Sequence, residues 1–328
     1  MNPLLKSKMT LFVENYRAFE GEFFWQNNIM KRLSALLYAG RGQRLNLRAV
    51  KENAEMIKEK MGPFSYFRGH TQLCLATLLS MQANRQRLLE DTTVVYELLK
   101  TKKFMASDYL VVAAYQIASS AAAGDFEEIA QRAEDFYLGM KAEHRFLTGH
   151  NDYIFAVLLA LSEKEVDSGV NQIESFFQAM KAKFRSGDSV LNLAQVLALG
   201  DADSDAVDRV LALSEQFKQK KLRLDRQLTL PSLGILALLP VETEVLVADV
   251  VEVYEFLRNQ KGFKVLSAGV QELQLFATAL AAYHYAEQSH DKLMSSTLST
   301  GITNIIVAQQ AAIAVVIATS ASAAASNS

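Results

Sequence analysis

Residues 154–161 read IFAVLLAL, an eight-residue run without a single polar side chain. Related runs begin at residues 75, 114, 157, 195, 234 and 277 and read LATLLS, AYQIAS, VLLALS, QVLALG, GILALL and ATALAA. Their starts are 39, 43, 38, 39 and 43 residues apart. A fixed period of this size is typical of stacked helical pairs. The sequence therefore predicts an all-α fold, an α-solenoid-like array of helical-hairpin repeats with a period of about 40 residues.

Each apolar run is followed by a segment with one apolar stripe. In the third unit Val166, Val170, Ile173, Phe177 and Met180 recur at three- and four-residue steps. This spacing places them on one face of an α-helix and leaves the other face to solvent. A helix that is apolar all round must instead be enclosed by neighbours. Each repeat is therefore predicted to be one buried helix followed by one half-buried helix.

The repeat pattern divides the chain into four parts. Residues 1–60 lack the pattern and are predicted to be atypical N-terminal capping helices, because terminal units of such arrays carry a polar outer face. Residues 61–264 hold five helical pairs, and residues 265–319 are predicted to close the array. Residues 320–328 read SASAAASNS and are predicted to be a disordered low-complexity tail.

Cations gather where the half-buried helices end, and acidic residues gather where they begin. Both arrangements complement the helix dipole. If the units stack in parallel, one edge is basic and can hold a protein partner that is acidic or phosphorylated. The same cations can also serve only to cap helices and keep the surface soluble. The candidate partner-binding residues are Lys102, Lys103, Lys183, Arg185, Lys220 and Lys221.

Composition limits the partners and the compartment. The formal net charge of −2 gives no global field that would attract nucleic acid or anionic lipid. Aromatic residues are not interleaved with the cations in the way that base stacking requires, which also argues against nucleic acid. Cys74 is the only cysteine, which excludes an intrachain disulfide and a cysteine-based zinc site. A cytoplasmic location is expected, since no signal-peptide run is visible at the N-terminus.

The one segment that raises the question of a membrane is near the C-terminus. Residues 302–319 read ITNIIVAQQAAIAVVIAT and are interrupted by Asn304, Gln309 and Gln310. A helix needs about 20 predominantly apolar residues to span a bilayer. The sequence therefore favours a closing helix of the array and argues against a membrane partner, with a C-terminal anchor as the alternative.

Catalytic motifs are absent from the sequence. There is no GxxxxGK phosphate loop, GxSxG elbow or HExxH metal motif.

His284 and Glu287 have three-residue spacing in a polar cluster that ends near His290, and they could bind a metal together with a further group. A tyrosine-rich helix surface is the simpler interpretation. We predict no catalytic residue and no cofactor. A non-catalytic interaction protein is favoured, and an enzyme or small-molecule binder in the superhelical groove is the alternative.

Four segments carry a family resemblance that spans nearly the whole chain. They are FLTGHNDYIFAVLLALS (146–162), LTLPSLGILALLP (228–240), KGFKVLSAG (261–269) and AAIAVVIATSASAAASNS (311–328). On the basis of these segments, the chain resembles an uncharacterised bacterial family of the domain-of-unknown-function kind, found mainly in Firmicutes. The resemblance implies a cytoplasmic all-helical protein without an assigned activity, and it implies no site residues.

Overall fold

The computed structural model describes residues 2–289 and 296–326, and these residues form α-helices and connections without any strand. Two short 3₁₀ turns, Tyr66–Arg68 and Ala123–Asp125, lie in the connections. The predicted all-α class is confirmed. The helices are α1 Pro3–Arg17, α2 Asn28–Gly40, α3 Leu47–Lys60, α4 Gln72–Ser80, α5 Arg85–Thr101, α6 Asp108–Ser120, α7 Phe126–Glu143, α8 Asp152–Ala160, α9 Val166–Met180, α10 Gly187–Leu199, α11 Ala206–Gln219, α12 Leu230–Ala237, α13 Thr243–Arg258, α14 Val265–Ala268, α15 Val270–Ser289 and α16 Ser296–Ser326.

Buried and half-buried helices alternate along the chain. Every residue of α8 and every residue of α12 is buried. In α7, by contrast, the buried residues recur at three- and four-residue steps, as the sequence predicted for the second helix of a pair: Phe126, Ala130, Ala133, Phe136, Tyr137 and Met140. Burying such a stripe against neighbours supplies most of the stability of an amphipathic helix.

Short polar side chains fix where several of these helices begin. Ser107 Oγ accepts a hydrogen bond from Leu110 N at the start of α6, at 3.2 Å. Asn46 Oδ1 accepts one from Ala49 N at the start of α3, at 3.1 Å. These are N-caps, which satisfy backbone N–H groups that lack a partner within the helix. Pro231 lies in the first turn of α12, where its missing N–H costs nothing.

The chain divides into two compact units. Unit 1 comprises residues 1–14, 39–43 and 171–309, and unit 2 comprises residues 15–38, 44–170 and 310–328. The boundaries predicted from the repeat pattern, at residues 60, 264 and 319, stay a prediction. The Phe12 ring of α1 packs in unit 1 against the rings of Phe263 and Phe276, with centroids 5.1 and 5.3 Å away.

Within unit 1 the buried helices pack on each other. Helix α12 contacts α10 and α15, and α11 contacts α13. A glycine allows the close approach of α12 to α10. A Cβ atom at Gly234 would lie 2.7 Å from Leu193 Cδ1 and 3.0 Å from Val196 Cγ1, so any larger residue would displace buried side chains.

Within unit 2 each buried helix contacts the half-buried helix that precedes it. Helix α6 contacts α5, α7 and α8, and α5 contacts α7. The Arg132 guanidinium of α7 ties the connection after α8 in place. It donates hydrogen bonds to the carbonyl oxygens of Ala160, Ser162 and Lys164 at 3.0–3.2 Å.

The last described helix, α16, contains the segment that raised the membrane question. All residues from Ile305 to Val315 are buried, and Gln309 Nε2 donates to Ser232 Oγ of unit 1 at 3.1 Å. The helix continues past residue 319 to Ser326 through a run rich in alanine, the residue with the highest helix propensity. Across the described residues no helix is both long and apolar enough to cross a bilayer.

Candidate anion-binding site

A cavity of about 480 Å³ lies in unit 1 between the connection that follows α9 and the connection that follows α11. We call it the cationic cavity. Four of its side chains are cationic and one is a carboxylate, a formal excess of three positive charges. Its lining residues are Lys183, Phe184, Arg185, Ser186, Arg223, Asp225, Arg226 and Gln227.

One ion pair organises part of this cavity. Arg223 donates from Nε to Asp225 Oδ1 at 2.9 Å and from Nη2 to Asp225 Oδ2 at 2.8 Å. The hydrogen bond from Arg223 lowers the pKa of the Asp225 carboxyl below its ordinary value. Such two-pronged pairing fixes the guanidinium plane. Lys183, Arg185 and Arg226 supply the remaining positive charge of the cavity.

The start of α10 adds to the positive potential of the cavity. Ser186, a lining residue, is the N-cap of this 13-residue helix, and its Oγ accepts from Ser189 N at 3.4 Å. The N-terminus of a helix carries a partial positive charge that favours anions. Phe184, half-buried, contributes an apolar wall. The arrangement suits a carboxylate or phosphate group attached to an apolar stem.

The structure brings together two of the cations that the sequence proposed for partner binding. Lys183 and Arg185 both line the cationic cavity. Lys220 and Lys221 are exposed at the end of α11 but lie outside the lining, and Lys221 has a left-handed backbone with φ of 62°. Sequence reasoning missed Arg223 and Arg226. The run Leu222–Gln227, which holds both arginines directly after the predicted basic helix end, was the signal that could have revealed them.

The other two proposed residues lie in unit 2. Lys102 Nζ donates to Glu127 Oε1 at 2.8 Å and to Gln131 Oε1 at 3.0 Å, and only 15% of its side chain is exposed. The hydrogen bond to Glu127 raises the pKa of Lys102. Lys103, next in the chain, is exposed. Lys102 is therefore engaged within unit 2, whereas Lys103 faces solvent.

The residues proposed for a metal, His284 and Glu287, have different environments in unit 1. His284 is buried in α15, whereas 53% of the Glu287 side chain is exposed and its Oε2 pairs with Lys8 Nζ at 2.8 Å. Lys8 Nζ also donates to the Gly40 carbonyl oxygen at 2.9 Å. The neighbouring Tyr285 hydroxyl donates to Asp249 Oδ2. His290, at the end of the predicted polar cluster, lies outside the described residues.

Burial gives His284 a measurable influence on acid stability. Desolvation lowers the pKa of its imidazole, an effect that Lys8 reinforces and that Asp249 and Glu287 oppose. The unfolded chain therefore binds this proton at a higher pH than the folded chain does, and stability is lost as the pH falls through the ordinary histidine range, about 6.5. We expect the melting temperature of His284→Asn to fall less than that of the wild type between about pH 7.5 and 5.5. If the melting temperatures of the two proteins fell equally with pH, His284 would not be the source of this loss of stability.

Comparison with known proteins places the chain in a family. Residues 15–311 match the family described as "Protein of unknown function (DUF4003)". The chain belongs to this family. It is also 23% identical over 321 residues to the uncharacterized protein YeaA of Bacillus subtilis (strain 168), covering 94% of this chain and 93% of the relative. No solved structure matches the chain. The resemblance to an uncharacterised Firmicutes family is thus confirmed.

Two further features of this DUF4003 member bear on its chemistry. In the described ranges, 2–289 and 296–326, no three His, Cys, Asp or Glu side chains are grouped so that they could hold a metal ion. Cys74 is buried, and burial raises the pKa of its thiol to about 12, so the thiolate that reacts or binds metal is not formed near neutral pH.

Proposed function

We propose that this DUF4003 member is a non-catalytic cytoplasmic interaction protein whose helical pairs form a repeat array, and that the cationic cavity holds an acidic segment of a partner protein. The observation that carries the proposal is the convergence of Lys183, Arg185 and Arg226 beside the N-terminus of α10. The contacts of α12 with α10 and α15 support the array. Repeat arrays present extended surfaces that are commonly used for binding.

An acidic peptide fits the cavity better than an isolated small anion does. The cavity is wide enough for several groups, and its cations come from two connections that are about 40 residues apart in the chain. Arginine and lysine side chains spaced in this way can each meet a different carboxylate of one extended segment. Phe184 can contact an apolar side chain between them.

A direct test uses a fluorescein-labelled polyglutamate peptide and fluorescence anisotropy at low salt. The triple variant Lys183→Glu, Arg185→Glu and Arg226→Glu should weaken peptide binding by about tenfold or more, because three attractive charges become repulsive. The affinity of the wild type should also fall as salt is added.

The matched control reverses three exposed cations of unit 1 that lie outside the cavity. Lys6→Glu, Arg41→Glu and Arg258→Glu produce the same change in net charge. This control should bind the peptide nearly as well as the wild type. Equal losses in the two triple variants would show that net charge alone governs binding, and no loss in the cavity variant would remove the cavity as the site. Unchanged far-ultraviolet circular dichroism establishes that both variants are folded.

A further inference from the structure

Three apolar side chains project into solvent from three alternate connections of unit 2. Phe64 is 98% exposed, Met105 is 65% exposed and Phe146 is 95% exposed. Each lies where the chain passes from α3, α5 or α7 to the next buried helix, in the connections 61–71, 102–107 and 144–151. We call these three connections together the aromatic loop edge.

Hydrogen bonds and ring contacts show that these three connections are neighbours. Thr71 donates from its backbone N and from its Oγ1 to Asp108 Oδ1, at 3.2 Å each, which joins the first connection to the start of α6. Met105 N donates to the Tyr153 hydroxyl at 3.1 Å, and the Phe104 and Tyr153 rings meet edge to face at 4.9 Å. The second connection is thereby held against the start of α8, directly after the third.

The aromatic loop edge is also basic. Its three connections contain no Asp or Glu, and they contain four Lys or Arg residues: Arg68, Lys102, Lys103 and Arg145. The connections 81–84, 121–125 and 161–165, which join buried helices to the half-buried helices that follow, show the opposite character. They carry three acidic residues and one lysine, and among the described residues none of their large hydrophobic side chains is exposed.

Nearby acids reduce the positive charge of the edge only in part. Asp108 and Asp152 are buried and accept hydrogen bonds from Thr71 and from Gly149 N. Lys102 is paired with Glu127, whereas Lys103 and Arg145 are exposed beside Met105 and Phe146. Exposed cations thus stand next to exposed apolar side chains.

We propose that the aromatic loop edge binds the surface of a bilayer that contains anionic phospholipid. Phenylalanines exposed to this degree have no surrounding side chains that would form a groove, so a protein partner would need a matching pocket for each one. A fluid apolar interior accepts such projecting side chains without that complementarity, and anionic headgroups attract the flanking cations. The proposal concerns unit 2 and stands independently of the cationic cavity of unit 1.

Vesicle sedimentation tests the proposal. The full chain is mixed with vesicles of phosphatidylcholine alone or of equal parts phosphatidylcholine and phosphatidylglycerol. We expect sedimentation with the mixed vesicles only. The double variant Phe64→Ser and Phe146→Ser should lower the bound fraction on mixed vesicles by about tenfold or more. Lys103→Glu with Arg145→Glu should lower it by about tenfold.

The matched control removes exposed apolar side chains elsewhere in unit 2. Val94, on α5, and Leu138, on α7, are 59% and 41% exposed, and the variant Val94→Ser with Leu138→Ser should bind mixed vesicles like the wild type. Equal losses in the two serine variants would overturn the proposal, as would failure of the wild type to sediment. A wild-type dimer that the Phe64→Ser and Phe146→Ser variant dissociates, without vesicle binding by either protein, would assign the edge to a second copy instead.

Fluorescence gives a readout at the site itself. Trp25 is the only tryptophan, so Phe146→Trp in a Trp25→Phe background places one reporter at the edge. Its emission should shift to the blue when mixed vesicles are added, because the indole leaves water. Val94→Trp in the same background should show no shift. An unshifted Phe146→Trp spectrum would contradict insertion.

Discussion

Replacing Phe136 with alanine is expected to lower the free energy of unfolding by about 3–5 kcal/mol. The Phe136 ring is fully buried in α7 of unit 2, and its Cε1 would lie 2.7 Å from a Cβ atom at Gly169 of α9. The loss combines the transfer free energy of the ring with the cost of the cavity that remains. Urea denaturation followed by circular dichroism measures this difference.

Leu138 provides the control for this prediction. It lies two residues further along the same helix, on the face where 41% of the side chain is exposed. Leu138→Ala should change the free energy of unfolding by less than about 1 kcal/mol. If the two alanine variants lost equal stability, α7 would not bury one face, and the division into buried and half-buried helices would be wrong for this pair.

Replacing Asp108 with alanine is expected to cost about 2–4 kcal/mol of unfolding free energy. Its Oδ1 accepts hydrogen bonds from the backbone N and the hydroxyl of Thr71, and both residues are buried. A buried donor that loses its acceptor costs about 1–3 kcal/mol. Because this contact holds the 61–71 connection, amide hydrogen exchange at Thr71 should become faster in the alanine variant.

The variant Asp108→Asn tests whether the hydrogen bonds to Thr71, and not the negative charge of Asp108, account for the loss. Asparagine keeps the Oδ1 acceptor, so this variant should lose only about 1 kcal/mol and should leave Thr71 protected. Unchanged hydrogen exchange at Thr71 in Asp108→Ala would show that Asp108 does not hold the connection. In that case another contact would hold the first connection to the start of α6.

Hydrophobic periodicity was sufficient to predict the alternation of helices. Each of the six predicted apolar runs begins inside a helix: α4, α6, α8, α10, α12 and α15. Of the stripe predicted for α9, Ile173, Phe177 and Met180 are buried, whereas Val166 and Val170 are half-buried. These features depend on the spacing of apolar residues within one helix, which can be read from the sequence alone. The membership of α1 in unit 1 depends instead on Phe12 meeting Phe263 and Phe276, a contact across more than half the chain.

The candidate sites were less predictable because exposure in a connection depends on tertiary packing. Phe104 follows Lys103, and Phe146 follows Arg145, so the two positions look alike in sequence. Phe104 packs against the Tyr137 and Tyr153 rings and is buried, whereas Phe146 is almost wholly exposed. The sequence therefore did not indicate exposed aromatics beside the cations. Its argument against a membrane partner used the net charge of the whole chain and residues 302–319, and neither reports a local edge of this kind.

The cations of the cationic cavity could also be predicted only in part from the sequence. The helix dipole predicts cations at the ends of α9 and α11, and Lys183 and Arg185 are found there. Which of these cations converge depends on the course of the connections after the helices. Arg223 and Arg226 enter the cavity, while Lys220 and Lys221 remain outside the lining.

The proposed binding of an acidic partner at the cationic cavity of this DUF4003 member is tested most directly by peptide anisotropy with the two triple variants. We expect the cavity variant (Lys183→Glu, Arg185→Glu and Arg226→Glu) to lose polyglutamate binding by about tenfold or more, whereas the control (Lys6→Glu, Arg41→Glu and Arg258→Glu) should retain it. Identical binding curves for the two variants would show that the cavity does not hold the peptide.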